Sequence, residues 1–213
     1  MPEQHTLVAE QFEDLPQQTE AAHLGMWTFL ATEVLFFGGL FLAYAVYRHF
    51  YDADFIAAIK HTDLFYGTLN SALLLTSGLT MALAVQAATE NRMKVIVPLL
   101  LATIILGFGF LASKGLEYNK DISDKLVPGP NFDPSLPPHA QIFFWLYWFM
   151  TALHAIHLIV GLGILTIITL LARREKFSVQ YYTPLEIAGL YWAFVDIVWI
   201  FLYPLLYLIG RHS

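Results

Sequence analysis

The sequence contains no cysteine among its 213 residues, and charged residues make up only 13% of it. The absence of cysteine excludes disulfides, thiolate zinc sites, iron–sulfur clusters and copper centres bridged by cysteine. The low charge, the 57% of hydrophobic residues and a mean hydropathy of +0.58 are typical of an integral membrane protein. The eleven Lys and Arg residues are spread over loop ends, and a net charge of −6 gives no basis for nucleic-acid binding.

The N-terminal segment has no lysine or arginine before residue 23 and carries several acidic residues. This composition is the opposite of a secretory signal peptide and also differs from an arginine-rich transit peptide. We expect residues 1–22 to form a retained, polar and poorly ordered tail. Residues 23–213 would then form a single transmembrane domain.

Five apolar stretches follow the tail, each near or above the ~20 residues that a helix needs to cross a bilayer. Short polar or proline-rich connections separate them. The sequence therefore predicts an all-α, polytopic bundle of five transmembrane helices, at about residues 24–48, 66–88, 94–117, 141–172 and 184–209.

Basic residues in short loops predict the orientation of this bundle. The two tight turns between helices are richer in them than the longer connections on the other side. This places the tight turns and the N-terminus in the cytoplasm, and the C-terminus outside. The basic residues of the tight turns are Arg92, Lys94, Arg173, Arg174 and Lys176.

Four ionisable residues lie deep within the predicted spans: Glu33, His154, His157 and Asp196. A charge at that depth costs several kcal/mol unless it is neutralised, paired or turned to a polar interior. Glu33 has three interpretations: a proton-relay group, a protonated carboxyl that hydrogen-bonds helices, or a group lining a lipid-filled cleft. The second is slightly favoured, because a relay needs further groups in line. His154 and Asp196 lie at similar depth, which leads to the hypothesis of a hydrogen-bonded pair.

The spacing of His154 and His157 places two imidazoles on one helical face, which raises the question of a metal or di-iron site. Such a site, or a bis-histidine haem, needs further deep ligands on other helices. The remaining histidines lie in tails, loops or helix ends. We therefore favour interior histidines that tie helices together, and expect no haem, copper or other metal within this chain.

Three further charged residues lie near the ends of predicted helices. Lys114 and Glu117 are three residues apart on the third span, and we expect them to form an interfacial ion pair. Glu186 falls in the first turn of the fifth span, where negative charge suits the helix dipole.

Five groups of residues, in order along the chain, carry a family pattern. They are HLGMW with TEVLFF (23–27 and 32–37), GTLNS with LTMA (67–71 and 79–82), Lys114-Gly115 with Glu117-Tyr118, TALHAIH (151–157) with Gly161, and YWAFVDIVW (191–199). Together they resemble subunit III of the haem–copper oxidases, the group of cytochrome c and quinol oxidases.

The resemblance implies a non-catalytic core subunit of a bacterial plasma-membrane oxidase, with subunit I as direct neighbour and subunit II in the same complex. Haem and copper would belong to those partners, which reduce O₂ and pump protons. This chain would bind phospholipid in a cleft between its helices. By position, Glu33 resembles the family's intramembrane glutamate, and His154, His157 and Asp196 resemble its polar interior positions.

The sequence departs from the common family pattern in two ways. It has five spans where many members have seven, so the cleft must be completed by another subunit, by helices fused to subunit I or by lipid. It also has Ala193 where the family commonly has histidine, which leaves the electron donor open. Of the two electron donors, we prefer cytochrome c over quinol, so the main hypothesis is subunit III of a cytochrome c oxidase. The alternatives are subunit III of a quinol oxidase, an accessory subunit of a nitric oxide reductase and, from another class, a proton-coupled transporter.

Overall fold

Long helices dominate the computed structural model, which describes residues 8–173 and 182–211. As predicted, five helices are long and apolar enough to cross a membrane. A short helix, α2, follows the first of them. The elements are α1 (Leu15–Phe50), α2 (Asp52–Ile59), α3 (Leu64–Thr89), α4 (Met93–Ser123), α5 (Ala140–Arg173) and α6 (Thr183–Tyr203), the last continued by a π-helical turn, Pro204–Leu208.

The first helix begins at Leu15, so residues 15–22 are helical and not the poorly ordered tail that their polarity predicts. Asp14 accounts for this start, because its carboxylate accepts the backbone N–H of Gln17 at 2.8 Å. A proline in the first turn follows, where its missing N–H removes no helical hydrogen bond.

The segment after α1 is predicted as a loop but forms α2. Phe55 of this helix is fully buried, and its ring packs against Tyr44 of α1 and Phe143 of α5. This helix therefore closes one end of the bundle. The opposite tight turn, with Arg174 and Lys176, lies outside the described residues, and the orientation stays a prediction.

Helix α6 belongs to a ring of four packed helices. It packs against α1, α3 and α5, while α4 packs against α3 and α5. Helices α3, α4, α5 and α6 therefore form a ring, and α1 lies against α5 and α6. Among the spanning helices, α6 is the most buried and α1 the least.

Trp192 of α6 contacts every other helix of this ring. Its fully buried indole donates its N–H to the Ser77 hydroxyl of α3 at 3.2 Å. A Cβ at Gly107 of α4 would lie 3.0 Å from the indole, and one at Gly161 of α5 would lie 3.1 Å from it. The two glycines therefore let α4 and α5 approach the ring closely.

Asp63 begins α3 and links it to α4. Its carboxylate accepts the Phe65 N–H at 3.0 Å and the Lys120 ammonium at 2.6 Å. Burial raises the pKa of Asp63, but these hydrogen bonds outweigh the burial and hold the pKa below its usual value of 3.8. A lowered pKa stabilises the fold above that value, and the contribution is lost as the pH falls through the folded-state pKa.

We expect Asp63→Ala to lower the free energy of unfolding by about 1 kcal/mol at pH 7, through loss of the helix cap. Asp63→Asn keeps a capping oxygen and should lower it less. Thermal unfolding in detergent, followed by circular dichroism, measures both effects. The destabilisation by Asp63→Ala should shrink at a pH below the folded-state pKa, and an equal effect at both pH values would contradict this interpretation.

Candidate functional site

Glu33 of α1 and His157 of α5 meet where these two helices pack. Glu33 Oε2 lies 3.2 Å from His157 Nε2, and the two side chains are only 19% and 14% exposed. The rings of Phe37 and Phe194 pack beside the imidazole. The structure thus brings together two of the four deep residues that the sequence singles out.

The contacts of His157 limit where its protons lie. Its Nδ1 is 2.9 Å from the Leu153 carbonyl, which only accepts, so Nδ1 carries a proton. If the ring is neutral, Nε2 accepts a proton donated by Glu33 as a carboxylic acid. If the ring is doubly protonated, Nε2 donates to the Glu33 carboxylate. In both states one proton lies between the two groups, which offsets the cost of a lone carboxylate in the membrane.

His154 lies one turn before His157 and points to another helix. Its Nε2 donates to the Val195 carbonyl of α6 at 3.1 Å, and its ring packs against Phe110 and Trp199. The two histidines therefore bind different neighbours and do not converge on one point. Within residues 8–173 and 182–211, no three His, Asp or Glu side chains are grouped to hold a metal ion.

The hypothesis of a hydrogen bond between His154 and Asp196 is wrong. His154 binds the carbonyl of Val195, and Asp196, one residue later, is rotated by about 100° around α6. Its Oδ2 lies against Gly78 of α3, where a Cβ would collide with it. Equal depth in the membrane did not imply a shared helix face.

A larger polar cluster, here called the lysine network, joins α4, α5 and the π-helical turn. Lys114 Nζ uses its three N–H groups on Glu117 Oε2 at 2.9 Å, the Tyr147 hydroxyl at 3.0 Å and the Tyr207 hydroxyl at 2.7 Å. The Tyr207 hydroxyl donates to Glu117 Oε1 at 2.7 Å. The single proton of the Tyr147 hydroxyl reaches Glu117 at 2.9 Å or Asp121 at 2.8 Å.

The predicted pairing of Lys114 and Glu117 is confirmed, and the pair is buried among the helices rather than exposed on the protein surface. The two side chains are 3% and 0% exposed, because α5 and the π-helical turn cover this face of α4. The ammonium also lies 4.6 Å from the ring centre of Tyr147 and 5.5 Å from that of Tyr207. Nζ lies at the hydroxyl edge of both rings, so the phenol oxygens rather than the ring faces stabilise the desolvated cation.

Glu186 lies in the first turn of α6, as predicted. Its Oε2 is 3.6 Å from His23 Nε2 of α1, so it also links two helices. From this pair a groove of about 560 Å³ runs along α6 to Asp196.

Comparison with known proteins identifies the family. The family model of cytochrome c oxidase subunit III matches residues 14–211 of this chain. The chain belongs to the cytochrome c oxidase subunit III family. Cytochrome c oxidase subunit 3 of Struthio camelus is 30% identical over 198 residues, which cover 90% of this chain and 71% of the relative. The same subunit of the bacterium Alkalihalophilus pseudofirmus is 30% identical over 188 residues, which cover 88% and 86%.

Membership in the subunit III family confirms the resemblance carried by the five groups of residues, all of which lie within the matched range. A subunit III implies a complex with other oxidase subunits. The five helices able to span a bilayer identify a multi-pass membrane protein. Glu33, His157, Lys114 and Glu117 lie within the five groups of residues that carry the resemblance. The other members of the lysine network, Asp121, Tyr147 and Tyr207, lie outside these groups but within the matched range.

Proposed function

We propose that this chain is the non-catalytic subunit III of a haem–copper terminal oxidase with cytochrome c as electron donor. The family match over residues 14–211 carries the proposal. In this proposal subunits I and II hold haem and copper, reduce O₂ and pump protons in a bacterial plasma membrane. This chain stabilises the complex through its helices and through bound phospholipid.

The hydrogen bonds of the buried polar side chains favour a structural role for this chain over a redox role. Each deep histidine uses a ring nitrogen to join two helices: His154 binds Val195 and His157 binds Glu33. Lys114 likewise joins α4 to α5 and to the end of α6. These contacts position helices, and the histidines do not converge as a metal or haem site requires.

Phospholipid binding is supported by the end of α1 that lies beside α2. Arg48 and His49 line a cavity of about 550 Å³ there, together with Tyr44, Asp52, Leu205 of the π-helical turn and Ile209 after it. Arg48 Nε lies 3.4 Å from Asp52 Oδ1 at the same place. A guanidinium suits a phosphate group, and exposed apolar side chains of α1 such as Leu42 suit acyl chains. We propose that a phospholipid headgroup occupies this cavity.

Purification in a mild detergent tests the proposed function. A chain tagged at its N-terminus should be recovered with a partner that contains haem and copper, and the preparation should consume O₂ with reduced cytochrome c. A chain that is stable alone and moves an ion across liposome membranes would contradict the proposal. If the preparation oxidises a quinol but not cytochrome c, the proposed electron donor is wrong, whereas the assignment as subunit III still holds.

We expect Glu33→Gln to leave the initial rate of O₂ consumption largely unchanged, because the redox centres lie in other subunits. The amide can still donate to His157, so the loss of stability should stay below about 1 kcal/mol. Oxygen-electrode measurements on the purified complex test this, with Glu90→Gln in an exposed turn as control. Immediate loss of turnover in a normally assembled complex would contradict the proposal.

A further inference from the structure

The lysine network has more hydrogen bonds to fill than hydrogens to fill them when both of its carboxyls are ionised. Six pairs of polar atoms in it lie 2.7–3.0 Å apart, and each pair needs one hydrogen between its atoms. The ammonium of Lys114 supplies three hydrogens, and the hydroxyls of Tyr147 and Tyr207 supply one each. Ionised carboxylates supply none, so the network is one hydrogen short.

The shortage falls on the Tyr147 hydroxyl. Its oxygen lies 3.0 Å from Lys114 Nζ, 2.9 Å from Glu117 Oε1 and 2.8 Å from Asp121 Oδ2. A phenol hydroxyl donates one hydrogen and accepts through its lone pairs. It therefore accepts from the ammonium and donates to one of the two carboxyls. The other carboxyl would face the phenol oxygen with lone pairs on both sides, unless it is a carboxylic acid that donates its own hydrogen.

Asp121 is the carboxyl that suits the acid form. Glu117 binds the ammonium through Oε2 and accepts the Tyr207 hydroxyl through Oε1, so its ionised form is satisfied at both oxygens. The three N–H groups of Lys114 are all used on other atoms, and none remains for Asp121. With Asp121 neutral, the charges of Lys114 and Glu117 cancel. A buried network without net charge avoids the cost of an uncompensated ion.

The surroundings of Asp121 supply no second cation. Lys120, the preceding residue, binds Asp63 of α3 instead. Among the described residues, the titratable side chains that interact with Asp121 are Lys114, Glu117 and Tyr118 of α4, Asp124 just after it, Tyr147 of α5 and Tyr207 of the π-helical turn. Lys114 is the cation of this set, and Glu117 already neutralises it.

We propose that the lysine network is a proton-binding site, in which Asp121 Oδ2 carries an exchangeable proton and donates it to the Tyr147 hydroxyl while Tyr147 donates to Glu117. The proton comes from water at the end of α4, because Asp121 lies in the last turn of this helix and residues 122–124 are exposed. Loss of the proton leaves a net negative charge in a network whose five residues are at most 3% exposed. The link between α4 and α5 then weakens. All five side chains belong to this chain, so the inference does not depend on the proposed function.

Infrared spectroscopy of the complex purified with this chain tests the inference. Labelling aspartate with ¹³C at its carboxyl separates the C=O band of an aspartic acid from that of a glutamic acid. At pH 7, where an exposed aspartate is ionised, the wild type should show one carboxylic-acid equivalent more than Asp121→Asn. The band should shift in D₂O, because the proton exchanges with water. Asp124→Asn, exposed just after α4, is the matched control and should keep the band.

Tyr147→Phe provides a second variant that keeps the ring and removes the hydroxyl. The band should change position, because the acid O–H loses its acceptor, and this test holds even if Asp121→Asn does not assemble. Circular dichroism checks that each variant is folded. Equal aspartic-acid absorption in the wild type and Asp121→Asn, a band that Tyr147→Phe leaves in place, or a band that does not shift in D₂O would overturn the inference. The first of these results would mean that both carboxyls are ionised and share the single Tyr147 hydrogen.

Discussion

Glu117→Ala is expected to lower the free energy of unfolding by about 3–5 kcal/mol, because it leaves a buried ammonium without its carboxylate. Glu117 is the carboxylate that Lys114 contacts directly, and it also accepts from Tyr207. Its loss removes acceptors from two buried donors on different elements. Unfolding in detergent, followed by circular dichroism, measures the change.

The lysine network offers its own controls. The double substitution Lys114→Met with Glu117→Ala removes both charges and should recover much of the lost stability, since neutral side chains carry no desolvation penalty. Lys120→Met removes an exposed lysine of the same helix and should cost no more than about 1 kcal/mol. If Glu117→Ala were no more destabilising than Lys120→Met, the network would not hold α4, α5 and the π-helical turn together.

Trp192→Ala is expected to cost about 3–5 kcal/mol, the range for truncation of a fully buried tryptophan. The indole fills the junction of the four-helix ring and donates to Ser77. Trp192→Phe retains an aromatic ring and should cost less. The effect should appear as a lower unfolding midpoint and as reduced recovery of the chain with its partner subunits.

Trp145 supplies the matched control for Trp192, because its side chain is exposed on α5. Trp145→Ala should change the free energy of unfolding by no more than about 0.5 kcal/mol. Equal effects of the two alanine substitutions would contradict the central position of Trp192 in the ring.

Most of the fold could be predicted from the sequence, because a spanning helix needs a long apolar run that is visible residue by residue. Helix ends were less predictable. Leu15 starts α1 through the local cap at Asp14, within a segment whose polarity suggests a tail. Helix α2 was missed because it is short, and its buried Phe55 depends on contacts with α1 and α5.

The candidate site was only partly predictable for a related reason. Membrane depth singles out Glu33, His154, His157 and Asp196, but depth alone does not show which helix each one faces. The His154–Asp196 hypothesis failed on this point, since Val195 and not Asp196 faces His154.

Most contacts of the lysine network could not be predicted from the sequence, for another reason. The spacing of Lys114 and Glu117 shows their pairing within α4 but not the cover supplied by Tyr147 and Tyr207. Tyr207 lies in the π-helical turn after Pro204, whose longer hydrogen-bond step changes the phase of the helix. A uniform helical period therefore does not predict where this tyrosine points.

The location of the redox centres is the most direct test of the proposed function. This chain can be released from the purified oxidase with a harsher detergent, and haem, copper and initial O₂ consumption can then be measured in both fractions. We expect all haem and copper, and most of the initial rate, to remain with the other subunits. Haem or copper that stays with the released chain, or a complex that contains neither, would contradict its assignment as a non-catalytic subunit III.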